Sequence, residues 1–157
     1  MQFSILLSVL ALGASTLAGV LPPSEVPISR IKDRLSHLDA YRASHRLTAE
    51  QSYIIDWATS FLTSFERSEV ELNALEEAAL QTFGKEQARS IFVDLNGEVN
   101  SQIEVKGDAG PVCQCSSQSS YCGNGEGCSR GAAGCSPRTP GCGFLFARTC
   151  NGLCIRV

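Results

Sequence analysis

The 157-residue chain carries a net charge of −3, with 43% hydrophobic and 18% charged residues, which is the composition of an ordinary soluble protein. Past its first twenty residues it has no apolar run long enough to span a bilayer, and nothing in its balance calls for a nucleic-acid partner. The charge is uneven, however: residues 19–112 hold 9 Lys and Arg against 15 Asp and Glu, whereas residues 113–157 hold four Arg against one Glu.

The chain opens with an apolar run from Phe3 to Leu12, followed by small residues. This is the layout of a secretory signal peptide over residues 1–18, with Thr16 and Ala18 at the small-residue positions of the cleavage site and Gly19 as a neighbouring alternative end. The other reading is a buried or anchoring helix. Export is expected, and with it an extracellular, oxidising environment.

Residues 19–106 read as a small all-α, acidic pro-region. Apolar positions Ile28, Ile31, Leu35, Leu38 and Tyr41 recur at helical steps and predict a helix over about 28–45. Thr48 and Gln51 form a capping-box pair that opens a second helix, about 48–66, with Ile54, Trp57, Phe61 and Phe65 facing inward and Trp57 near the bundle centre. Ser68 and Glu71 repeat the device for a third, 69–83, whose apolar face is Leu72, Leu75, Ala79 and Phe83 and which Gly84 closes in a left-handed conformation. A fourth, about 85–93, turns Ala88, Ile91 and Phe92 inward. Beyond it, Val99, Ile103 and Val105 alternate with polar residues as in a short strand. Residues 107–112, with Gly107, Gly110 and Pro111, form a flexible joint suited to proteolytic release, with Lys106 as the single basic candidate for the cut.

All eight cysteines fall in residues 113–157: Cys113, Cys115, Cys122, Cys128, Cys135, Cys142, Cys150 and Cys154. In an exported chain an even set reads as four disulfides, whose connectivity the spacing does not reveal. A segment this short has too little apolar surface to fold unaided, so crosslinks at roughly 2–4 kcal/mol each must supply its stability. A loop- and short-strand-based module is expected, with separate partners for Cys113 and Cys115, since extended neighbours two apart sit about 7 Å from one another. Zinc is not expected, because the module has no histidine and no paired Cys-x-x-Cys knuckles. No cofactor or metal is expected. His37 and His45 read as polar surface of the first helix, "ERSEVELNALEE" as a charged helix face, and no serine sits in a nucleophile elbow, so an enzyme is not expected.

The module's surface chemistry is cationic: Arg130, Arg138, Arg148 and Arg156 accompany the apolar run Phe144, Leu145 and Phe146. A cationic face beside an exposed apolar tip favours anionic lipid surfaces. The alternative makes Phe144 and Phe146 the module's own small core, with Leu145 outside. The acidic segment ahead of this basic one reads either as a propeptide shielding its cargo or as a solvated helical surface.

The stretches "CQCSSQSSYC", "CSPRTPGCG" and "GCGFLFARTCNGLC" resemble the fulvocin C-related bacteriocins, a family of small secreted eight-cysteine peptides, over about 42 of the 157 residues. That resemblance implies an antibacterial peptide released from a longer precursor. The expected function is therefore a secreted, monomeric, cationic antimicrobial module acting on a bacterial envelope or another anionic lipid surface. The rival is a secreted effector or inhibitor that binds a host protein through the rigid loops 123–127 and 136–141. A structural coat or matrix protein finds no sequence repeats to support it.

Overall fold

A computed structural model describes residues 28–94 and 111–157, with the side chains of residues 138–140 excepted. The possible strand at Val99, Ile103 and Val105, the cleavage candidates Ala18 and Lys106 and the glycines of the joint lie outside the described residues.

Four helices follow one another: α1 (Ile28–Ser44), α2 (Ala49–Thr63), α3 (Glu69–Phe83) and α4 (Lys85–Phe92). Local chemistry sets their starts. Thr48 holds an extended backbone while its hydroxyl accepts from the Gln51 N–H at 3.1 Å, and the Gln51 side chain accepts from the Thr48 N–H at 3.0 Å. Two otherwise unpaired donors are thereby satisfied. At α3 only half of the expected box forms: Ser68 accepts from the Glu71 N–H at 3.3 Å, but the Glu71 carboxylate turns to α2 and accepts from the Trp57 indole at 3.1 Å. A local cap has been traded for a helix-to-helix bond.

The ends of two elements differ from the periodic pattern. α2 stops at Thr63 because Ser64 is extended, and Phe65 then points to solvent, 93% exposed, rather than into the bundle. Ile28 at the start of α1 is exposed too. Trp57 is half-buried at the side of the bundle, not at its centre. Gly84 closes α3 with φ +75° and ψ 162°, a positive φ outside the left-handed helical region, and the same residue begins α4 without a break. That corner turns Phe83 and Phe92 edge to face, with ring centroids 5.7 Å apart.

The cysteine module consists of two antiparallel pairs. β1 (Glu126–Arg130) pairs with β4 (Gly152–Arg156), with Cys128 opposite Cys154. β2 (Arg138–Cys142) pairs irregularly with β3 (Arg148–Cys150), and the chain between them forms a tight turn at Phe144–Phe146. Four disulfides staple this frame: Cys113–Cys135, Cys115–Cys128, Cys122–Cys154 and Cys142–Cys150. Cys113 and Cys115 do take separate partners. Pro111 and Val112, expected in the joint, already belong to the module: Ser136 donates to the Pro111 carbonyl at 2.9 Å, and Val112 pairs with Ser136. A helical region followed by a disulfide-rich, short-strand module is thus the architecture.

The two parts share one apolar core. Leu38, Phe61, Leu72, Leu75, Ile91 and Phe92 of the helices form a single buried cluster with Tyr121, Phe144, Leu145 and Ala147 of the module. What the module keeps for itself is a small nucleus of Cys113, Cys135, Cys142 and Cys150, covered by Leu153. Replacing the cap in Thr48→Ala should cost about 1 kcal/mol, read as a lower denaturant midpoint at unchanged slope. An unchanged midpoint would mean that packing, not the cap, sets the start of α2.

Candidate functional site

The candidate site is the seam between helices and module, because most of the residues expected to touch a membrane or partner lie there. The turn that bears them is conformationally costly. Leu145 and Phe146 both have positive φ, 53° and 54°, which side chains other than glycine adopt at a cost on the order of 1 kcal/mol per residue. Three restraints hold it. The Cys142–Cys150 disulfide closes its base. The Phe144 N–H donates to the Ser119 hydroxyl at 2.9 Å, and that hydroxyl in turn donates to Glu76 of α3 at 2.7 Å. Gly143, with φ +69°, lies so close to Ser119 that a Cβ there would meet its side chain at 2.7 Å. Glycine is therefore required at 143.

Each part sends one buried arginine into the other. Arg148 of β3, 1% exposed, donates to Glu69 of α3 at 3.2 Å and to the Asn73 side-chain carbonyl, and lies 3.7 Å from Glu76. Residues 69, 73 and 76 fall on one face of α3 because they are spaced four and three apart. In the opposite direction Arg34 of α1, also 1% exposed, places its guanidinium 4.0 Å from the centroid of the Phe146 ring and donates to the Val93 carbonyl. Burial pushes Arg34 down to about 9; Asp94 opposes that shift and Arg30 adds to it. The charge is thus held in a dry place, and the aromatic face offsets part of that cost. Phe144 packs on Phe92 at 5.0 Å between centroids, and Arg89 of α4 donates to the Cys122 carbonyl at 3.3 Å.

An open cleft of about 420 Å³ runs beside the seam, lined by Glu76, Lys85, Ser120 and Tyr121 among others. Burial first, and then the Glu76 charge, push the Tyr121 hydroxyl well above its ordinary value, so it stays protonated throughout the neutral range.

The expected contact residues therefore divide. Phe144, Leu145 and Arg148 are not surface groups of the intact chain: the helices bury them, and Phe146 is partly covered by Arg34 and Arg30. Leu145, expected outside in the core reading, is only 3% exposed. Arg130 and Arg156 remain exposed at the two ends of the β1–β4 pair, beside exposed Ile155 and Val157. The Arg138 side chain lies outside the described residues. His45 is exposed and stacks on Tyr41 at 4.0 Å, while His37 is partly covered and meets the Ser90 carbonyl at 3.1 Å. The sulfurs of Cys115, Cys122 and Cys154 lie within 4.8 Å of one another, but each is engaged in a disulfide and has no thiolate to offer a cation. The structure adds Arg34, Glu69, Asn73, Glu76 and Ser119 to the site. The acidic run on α3 was the one available signal, and it read as a solvated face.

No family model matches the chain, and no curated protein or solved structure does so either. Among the described residues, no helix is long and apolar enough to cross a membrane.

Arg148→Ala should destabilise the intact protein by about 3 kcal/mol, because it strands Glu76 and empties a packed site. A double-mutant cycle with Glu76→Gln in denaturant titrations should give a coupling of at least about 1 kcal/mol. Additive effects would show that the two side chains are neighbours without energetic consequence.

Proposed function

We propose that the chain is a secreted precursor in which the helical region covers the working face of a disulfide-stapled, cationic antimicrobial module. Once uncovered, that module acts on an anionic bacterial envelope. The observation that carries this reading is the seam itself: the apolar tip and Arg148, the combination suited to an anionic lipid interface, are the groups that the acidic helices occupy. Loss of the helices would leave Phe144 without Phe92, Phe146 without Arg34 and Arg148 without carboxylates. The resemblance of the cysteine segment to the fulvocin C-related bacteriocins adds support, as do four disulfides, which fit an oxidising compartment.

A second reading, a permanent two-part protein that binds a host protein, is favoured by the continuity of the apolar core across the seam. Intact mass of the secreted species separates the two. A species beginning between Gly107 and Cys113 that gains about 8 Da on reduction supports the precursor; one beginning at Gly19 supports the permanent protein.

The functional test compares the intact chain with the released, oxidised module on phosphatidylglycerol vesicles and on a panel of bacteria. The module should bind vesicles at least about tenfold more tightly at low salt, lose that advantage in Arg148→Glu, and inhibit growth. Equal binding by both forms, or a module inert on every strain, would overturn the proposal.

A further inference from the structure

All four disulfides lie within the module, so residues 95–110 are the only covalent link between the described helices and the described module. The contacts across the seam are nonetheless of the kind that hold a folded core together. Phe144 is fully buried against Phe92, two arginines are almost fully buried in opposite directions, and Ser119 carries a hydrogen-bond chain from the module backbone to α3. None of these contacts uses residues 95–110.

From this separation of covalent and non-covalent connections we propose that cleavage within residues 95–110 does not free the module. The helical region stays bound in trans as its inhibitor, and release needs a second event that opens the seam. The surface that receives the module is the α3 face of Glu69, Asn73 and Glu76 together with Phe92 and Arg34. Its occupant is residues 143–148 of the same chain. Cutting the link removes only the high effective concentration that it provided. Salt alone is a poor second trigger, since ion pairs removed from water are weakly screened and the aromatic contacts are not screened at all. The retention argument rests on contacts, and it relies on the precursor reading only for its biological consequence, latency after processing.

The test uses the full chain, folded and oxidised, with a site for a specific protease placed within residues 95–110. After complete cutting, size-exclusion chromatography at about 10 µM should give one peak containing both fragments, which requires a dissociation constant of about 1 µM or tighter. The peak should persist in 0.5 M salt, a condition under which the Debye length is only on the order of 4 Å. Phe92→Leu and Glu76→Gln should each weaken retention at least about fivefold, whereas Glu86→Gln on the exposed side of α4 should leave it unchanged. Each variant is first shown by intact mass to carry four disulfides before cutting. Two peaks from the cut wild-type chain, with the module still oxidised, would overturn the inference. So would retention indifferent to both seam substitutions. A module that stays bound after cutting, and is inert on every strain even when freed of the helices, would sink the antimicrobial reading and leave this inference standing; an active module that elutes alone would do the reverse.

Discussion

Two guanidinium groups crossing one seam in opposite directions organise the rest of this protein. Removing a charge from water is expensive unless hydrogen bonds, counter-charges or a polarisable ring replace the lost hydration. Arg148 finds a carboxylate, an amide and a second carboxylate on one helix face; Arg34 finds an aromatic ring and a backbone carbonyl. Each solution fixes a different element. The first determines which face of α3 looks at the module. The second determines where Phe146 lies, and so the direction of the turn that bears it.

The module's poverty of core explains why such a seam exists. Four cross-links restrict its unfolded chain and give it a frame, but they bury little beyond sulfur and Leu153. Its larger apolar side chains, Tyr121, Phe144 and Leu145, complete the helical bundle instead. A turn with three positive-φ residues, Gly143, Leu145 and Phe146, survives because its ends are tied by sulfur and its tip is packed by helices. Restraint from covalent bonds and restraint from burial thus meet on the one segment from Cys142 to Cys150.

Much of the helical architecture was legible in the sequence, and the reason is local. Caps such as Thr48 with Gln51, and apolar steps such as Leu72, Leu75 and Ala79, are written within a few residues of where they act. The errors arose where a distant partner decided. Glu71 left its predicted cap for Trp57; Phe65 is a local exception, two residues beyond the end of α2 and past the extended Ser64. Arg34 lies among the apolar steps of α1 and reads as a charge between them, because the ring that buries it is more than a hundred positions away. The count and pairing logic of the cysteines pointed to disulfides. The composition marks the tip as cationic and aromatic, but neither composition nor periodicity has a means of saying that another part of the chain buries it.

The hydroxyl of Ser119 has consequences beyond holding a turn. It is at once the acceptor for the Phe144 N–H and a donor to Glu76, and it lies so close to residue 143 that no side chain fits there. A change at Glu76 therefore removes the acceptor of a hydroxyl on which the Phe144 N–H also depends, so a perturbation on α3 reaches the turn through a single oxygen. Arg130, Ile155, Arg156 and Val157 lie exposed outside this relay, so a substitution there leaves the hold of α3 on the turn untouched.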